Sequence, residues 1–527
     1  DAQDLEPLSV FPAAWFQRYL TLAGYNPAML DDARQTLRVF GGCEGAGTSA
    51  YIANYMQKMM DIPAELSFTS ECDAEARAFC LRHQDWSHYY NDIDDDHAGG
   101  HCYVCGEAHA VAKRRSPVEH DLMIIGIPCP LFSNLNMHVR RDVQFNPFEQ
   151  PTSRVVKSSL RKIRFRNPKA VCIEEVASLL QPFKPPLEGE FKDYKAPIDF
   201  FLNGVDPVTQ EKYGLALPEA GYIPYHIKVL TLRSSQYGSP NCRKRCYILA
   251  CRKDIIDPLS FMAMCHFAEH IAPHAHQGSA SLTDCWAFCE RSGSQLTFPS
   301  PAQDGSSRSS NDNGRASARL QAVLKQLGLP SSGQGPFIRS LSRGQRQLLN
   351  QRELIKLEVE HARLKKRGVD INNSYVDIAR SAQQSMGAYL NGRGAAFSTS
   401  MKLFHLGKKA FLPAQALLAG QGFDPRDFLW SGSKYNLLTR LAGNGMTTSV
   451  VGACFVGLIL YCYPFGDDAE PLKRNRIVLP PSSQWCWQEV DSDTEDTQDA
   501  TETDTSDDAG SDEAASDPPS DQEGASD

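Results

Sequence analysis

Cys129 stands between two prolines in Gly126-Ile-Pro-Cys-Pro-Leu-Phe-Ser133, directly after the apolar run Leu122-Met-Ile-Ile125. A thiol on a stiff loop at a strand end can serve as a nucleophile; buried, it is a small hydrophobe. Two other groups would suit such a nucleophile. Val171-Cys-Ile-Glu174-Glu175-Val176 closes an apolar run with adjacent carboxylates, either able to act as an acid. Arg243 and Arg245 are two apart, so they share a face of any strand they enter. Upstream, Val39-Phe-Gly-Gly-Cys-Glu-Gly-Ala-Gly47 lies between a short apolar run and a helical pattern. Its glycines allow a tight turn with backbone amides against a ligand at a helix start. Glu71 ends the next apolar segment, where a carboxylate can accept both hydroxyls of a ribose. Asp92 and Ile93 follow a third segment and could meet an adenine.

Elements must carry these groups to one place. From Leu37 to about Lys253, apolar runs alternate with amphipathic stretches: Leu37–Phe40, Leu122–Ile125, Ala170–Ile173 and Cys246–Leu249 against Ser49–Met60 and Ala74–Leu81. That alternation predicts a parallel α/β sheet. Val450 to Tyr463 is apolar but falls short of the roughly 20 residues that span a bilayer, so it predicts a buried helix and no membrane partner. Residues 292–317 are polar and Gly/Ser-rich, a flexible insert, and Arg343–Arg367 reads as a basic helix. His97, His101, Cys102, Cys105 and His109 contain a Cys-x-x-Cys with nearby histidines, a spacing compatible with zinc, and His266, His270, Cys285 and Cys289 pair ligand types at i,i+4. The second cysteine pair of a zinc ribbon is missing, and no metal ligand is assigned from sequence.

Composition narrows the class. The 527 residues are 42% hydrophobic and 22% charged, which excludes a wholly disordered or collagen-like chain. Sixteen scattered cysteines and no opening secretory signal point to reduced, intracellular thiols, although Asp1 in place of Met leaves room for a removed leader. The net charge of −9 is uneven: residues 491–527 hold 15 acids and no Lys or Arg. The other 490 residues set 54 bases against 48 acids and carry +6, a body suited to a polyanion. The tail itself predicts disorder.

The order and spacing of these pieces resembles the cytosine 5-methyltransferase family, which acts mainly on DNA. That family's marks are Phe-x-Gly-x-Gly, Gly-x-Pro-Cys-Gln-x-Phe-Ser, Glu-Asn-Val and Gln-x-Arg-x-Arg. Gly221-Tyr222 precedes the arginines here as well, and Leu412 to Phe423 and Gly443-Asn444-Gly445 look like the family's last two motifs. The resemblance covers roughly residues 35–255 and 400–465. It implies a Rossmann-like, seven-stranded α/β methyltransferase sheet that binds S-adenosyl-L-methionine, with a smaller target-recognition domain. The expected layout is an N-terminal extension (1–34), a first catalytic part (35–254), a target-recognition region (255–400), a closing catalytic segment (401–488) and the acidic tail (489–527).

The resemblance also assigns roles. Cys129 would add to carbon 6 of a cytosine flipped out of double-stranded DNA. Glu174, protonated, would bond the ring nitrogen, and Arg243 and Arg245 would hold the acid and the base. Carbon 5 would then take the sulfonium methyl. Phe40, Gly42, Gly45, Glu71, Asp92, Ile93, Pro128 and Asn444 would line the cofactor site, and a nuclear location would follow from a nuclear substrate. Several positions depart from the pattern: Pro130 replaces Gln, Glu175 replaces Asn, Asn241 replaces Gln and Glu44 replaces a glycine. Glu175 is expected to raise the pKa of Glu174. Two alternatives stand beside this reading, an RNA (transfer RNA) cytosine methyltransferase and a catalytically silent DNA-binding chromatin module.

Overall fold

The computed structural model describes residues 6–25, 36–111, 121–128, 153–183, 186–187, 189, 192–206, 209–276, 278–300, 321–331, 335–379, 388–394 and 396–462. Seven strands make its main sheet: β1 (Leu37–Gly42), β2 (Ala64–Ser70), β3 (His88–Tyr90), β4 (Leu122–Gly126), β5 (Ala170–Val176), β6 (Tyr225–Arg233) and β7 (Lys244–Arg252). Their order is β3-β2-β1-β4-β5-β7-β6. The first five run parallel, as the sequence predicts, while β7 is antiparallel to both β5 and β6. The reason is local: residues 234–243 are too short a link for a parallel crossover of a dozen or more residues, so β6 and β7 form a hairpin. This is the expected Rossmann-like α/β sheet. Strand order reverses between β1 and β4, which opens a crevice at the carboxyl ends of those strands.

Alternation along each strand buries both faces. Val39, Ile124, Cys172 and Leu249 point into one core, and Phe40, Ile125, Ile173 and Ile248 into the other. The long helices are α1 (Pro12–Leu22), α2 (Thr48–Met60), α3 (Ala74–His83), α4 (Ser153–Arg166), α5 (Pro258–His266), α6 (Leu282–Arg291), α7 (Gln351–Lys366), α8 (Ala414–Gly420), α9 (Tyr435–Asn444) and α10 (Thr448–Cys462). Val156, Leu160 and Ile163 of α4 cover the second face. Helices α1, α2, α5, α6 and α10 contribute to the first core.

Two segments sit differently from their expected domains. Helix α1 falls within the expected extension 1–34, yet Trp15, Phe16 and Tyr19 are fully buried in the first core. A side chain at Gly452 of α10 would strike the Trp15 ring, so that glycine is what lets α1 and α10 cross closely. Helices α5 and α6, inside the expected target-recognition region, also belong to this core through Phe261, Met264, Trp286 and Phe288. The smaller unit begins later. Strands β8 (Tyr375–Asp377), β9 (Ala388–Tyr389), β10 (Leu403–His405) and β11 (Ala410–Phe411) make an antiparallel sheet in the order β11-β10-β8-β9. With Leu357 and Leu364 of α7 it encloses a third core of Phe337, Ile338, Val376, Phe404 and Phe411, so this unit extends past residue 400.

Helix α7 starts at Asn350, whose side chain accepts from the Glu353 amide while Glu353 reaches back to the cap. The basic stretch 343–367 is therefore broken ahead of residue 351, and one face of α7 is buried, with Lys356 paired to Glu360 at 3.0 Å. The apolar run from Val450 forms α10, lying against α1, α2, α5 and strand β5. Among the described residues no single helix is long and apolar enough to cross a membrane. The acidic tail and residues 301–317 of the polar insert lie outside the described residues.

Candidate active site

Register brings the sequence motifs to one edge of the sheet. Gly42 pairs with Ile125, Gly126 with Glu174, and Val176 with Arg245, so the ends of β1, β4 and β5 and the start of β7 line up. Glu174 is 5% exposed and is the hub of this edge. Its Oε1 lies 3.2 Å from Arg243 Nη2 and 3.0 Å from Arg245 Nε. The spacing of the two arginines thus does what it predicts. Arg243 is buried and donates from Nη1 to the Gly443 carbonyl at 2.6 Å, while its Nε is buried without a hydrogen-bond partner. Arg245 is the more open of the two.

Gly126, at the end of β4, lies beside the acid: a Cβ there would stand 3.6 Å from Glu174 Oε2 and 3.5 Å from the sulfur of Met446. Pro128 follows, exposed. Cys129 lies outside the described residues.

The adjacent carboxylates divide their environments by strand alternation. Burial pushes Glu175 well above the usual carboxylate range, and the neighbouring Glu174 adds to the shift. Glu175 accepts only from the Val176 amide among the bonds at its side chain, and its Oε1 has no partner. Glu175 is thus driven toward its neutral form, while Glu174 faces two guanidinium groups.

The expected cofactor residues split into two sets. Gly45 (φ 55°) donates its amide to Glu71 Oε2 at 2.9 Å, so the glycine turn and the acid after β2 meet directly. Asn444 ends α9 with its Cβ 3.8 Å from where a Gly45 side chain would begin. At Gly42 a Cβ would come 3.3 Å from Ser70 Oγ and 3.5 Å from Ile93 Cδ1, so Ile93 also reaches this turn. Two others look elsewhere. Phe40 is fully buried with its ring 5.0 Å from Phe68, serving the core. The Asp92 carboxylate ion-pairs with Arg154 of α4 and accepts the Asp94 amide, so the adenine contact expected of it would have to compete with a guanidinium.

Glu44 occupies space that the family pattern leaves empty. A Cβ on Gly41 would fall 2.3 Å from Glu44 Oε1, so the glycine at 41 is what admits the folded-back carboxyl. Ser49 and Thr69 hydroxyls bond to it, and burial pushes its pKa up to about 7.

Sequence reasoning gave no role to the residue that ties the late motifs to the arginines. Gln421 is fully buried between α8 and α9. It donates to the Ala442 carbonyl at 2.6 Å and accepts from the Thr447 hydroxyl at 2.7 Å and from Asn241 Nδ2 at 3.4 Å. The signal was present in Gly420-Gln-Gly422, a polar residue set within an apolar helix end. Thr48 of α2 closes the circuit by donating to the Met446 carbonyl.

Of the candidate metal ligands, Cys102, Cys105 and His109 gather with His88, which sequence reasoning missed because it lies on β3, ahead of the Cys-x-x-Cys insertion. His97 and His101 are exposed and take no part. His266, His270, Cys285 and Cys289 form no such group among the described residues. Cys285 and Cys289 are buried in the first core with thiol pKa values pushed up by burial.

No protein-family model matches the chain. Residues along 69% of it are 21% identical, over 397 positions, to the DNA (cytosine-5-)-methyltransferase DMT5 of Cryptococcus neoformans, of whose length the match spans 14%. Solved structures with a similar course include a DNA modification methyltransferase encoded within an E. coli prophage (14% identity, TM-score 0.43) and the S. pombe Dnmt2 methyltransferase (16%, 0.35). Each covers 81% of this chain and 99% of its own, and superpositions this loose add nothing to the strand order itself. By sequence, the chain is a distant relative of a cytosine-5 methyltransferase.

Proposed function

We propose that this chain transfers a methyl group from S-adenosyl-L-methionine to carbon 5 of a cytosine in double-stranded DNA. The observation that carries the reading is the Glu174–Arg243–Arg245 cluster, on the sheet edge that also holds the Gly45–Glu71 contact. The residues present fit the donor. Glu71 stands at a strand end, where a carboxyl can meet a ribose, and Gly42 lets Ser70, Ile125 and Ile93 close around the turn beside it. When bound, the cofactor supplies an electrophilic methyl.

The chain's own residues do the rest. Cys129 is one peptide unit from Pro128 and three residues beyond Gly126, which lies beside Glu174. Its thiolate adds to carbon 6 of an extruded cytosine, making carbon 5 nucleophilic. Glu174, taking up a proton from solvent as the base binds, donates to N3, the ring nitrogen across from the attacked carbon 6, and offsets charge there. Arg245, the more open guanidinium, holds Glu174 and the base together, and Arg243 fixes Glu174 from the buried side. Loss of the carbon 5 proton then expels the cysteine.

DNA is preferred over RNA because the relative that the chain matches is named a DNA methyltransferase. Labelled methyl transfer to hemimethylated DNA, unmethylated DNA and transfer RNA tests the reading. Incorporation into either DNA supports it. Transfer to transfer RNA alone assigns the RNA branch, and cofactor binding without transfer assigns a silent module.

A further inference from the structure

The edge strand β3 is covered by a hairpin that sequence left unexplained. Cys102 bridges to Tyr90, Tyr103 donates its amide to the Tyr89 carbonyl at 2.7 Å, and His101 bridges back to Ala108. Residues 100–109 therefore lie along β3 and return, bringing four ligand residues into one cluster. One nitrogen or sulfur from each of His88, Cys102, Cys105 and His109 lies within 4.8 Å of every other.

The spacing suits a small tetrahedral ion. With zinc–sulfur bonds near 2.3 Å and zinc–nitrogen bonds near 2.0–2.1 Å, a tetrahedron puts sulfur and nitrogen about 3.5 Å apart. His88 Nδ1 is 3.3 Å from Cys105 Sγ and 3.8 Å from Cys102 Sγ. The turn between the cysteines is built to aim both sulfurs one way. Gly106, at φ 77°, donates to the Cys102 carbonyl at 2.9 Å, and the Cys105 amide points at Cys102 Sγ at 3.5 Å, a bond that favours a thiolate. Independently, His109 Nε2 is buried and has no hydrogen-bond partner, while its Nδ1 lies 3.5 Å from Tyr90 Oη. A buried ring nitrogen without a partner is costly unless something binds it.

We propose that His88, Cys102, Cys105 and His109 bind one structural zinc ion. All four positions of the tetrahedron are protein ligands, so the site is closed and holds shape instead of performing chemistry. Its effect is local: the ion links β3 to the hairpin across Asn91, Asp92 and Ile93, and so clamps the loop from which Ile93 reaches the Gly42 turn. The site stands on its own ligands and does not depend on the methyl-transfer reading.

Elemental analysis of the full chain, expressed with zinc in the medium and dialysed, should find one zinc per molecule. Cobalt(II) substitution should give the intense visible bands of a tetrahedral thiolate site. Cys105→Ser changes an exposed residue, so the variant should stay folded, lose most of its zinc and exchange amide hydrogen faster at residues 91–95 with little change elsewhere. Should that variant fail to fold, the zinc content and cobalt spectrum of the unaltered chain still decide. Substoichiometric zinc, an octahedral cobalt spectrum, a Cys102–Cys105 disulfide in freshly purified protein, or full zinc retention by Cys105→Ser would each overturn the assignment.

Discussion

Arg243 and Arg245 grip the same carboxylate oxygen, yet their surroundings predict different failures. Arg243 is 5% exposed and also ties down Gly443, so Arg243→Ala leaves Glu174 buried beside a vacated charge. It should destabilise the fold by about 3–5 kcal/mol, read by denaturant unfolding. Arg245→Ala should cost about 1 kcal/mol or less in stability and still depress methyl transfer at least tenfold. A second contrast separates the two acids. Glu175 holds its proton in the fold but releases it near the ordinary carboxylate value when unfolded, so its burial penalty grows as pH rises. Glu175→Gln should therefore melt above the unaltered chain at pH 8 and close to it at pH 4.5; a gap independent of pH would contradict this. The resemblance named Glu174 as the acid that Arg243 and Arg245 would hold, but residue type alone did not separate it from Glu175. That is decided by strand alternation, with Gly126 and Tyr247 beside Glu174 and Cys246 beside Glu175.

The elements are held in place by a few buried polar side chains between them. Gln421 joins α8, the linker after α9, and Asn241 ahead of β7, which positions Asn444 against the glycine turn. Gln421→Ala leaves buried partners unsatisfied and should cost about 3 kcal/mol, with weaker S-adenosyl-L-methionine binding measured by calorimetry. At this scale the alternation of apolar runs and helices was legible from Leu37 to Arg252, since period-2 burial on both faces writes itself into the residues. The reversal of β7 was not, because its cause is the length of one link. His88 was missed because metal spacing was sought within the insertion, while strand pairing brings in a ligand from before it.

Across the molecule, one half-buried and one buried histidine set how the fold meets acid. His276 sits between the Ser9 carbonyl and the Tyr19 hydroxyl, joining the α1 segment to the main core, and His405 packs between Tyr375 and Trp286. Burial lowers both pKa values to about 4. Protons therefore bind the unfolded chain first, and stability is whole above pH 6.5 and falls as pH drops from there toward 4. Each contributes up to about 3 kcal/mol to that loss, and His276→Gln should flatten the melting temperature between pH 7 and 5. The α1 segment was read as an extension because nothing in residues 12–22 announces a partner; its partners are α2, residues 267–276 and α10, the last more than 400 residues on.

The central claim is a thiolate at position 129 attacking a cytosine held by Glu174 and two arginines. Incubation of the full chain with S-adenosyl-L-methionine and duplex DNA carrying 5-fluorocytosine, followed by denaturing electrophoresis and peptide mass spectrometry, tests it directly. Fluorine cannot leave as a proton does, so a stable adduct should accumulate on the peptide containing Cys129 and be absent in Cys129→Ala. An adduct at another cysteine, or methyl transfer undiminished in Cys129→Ala, would contradict the account.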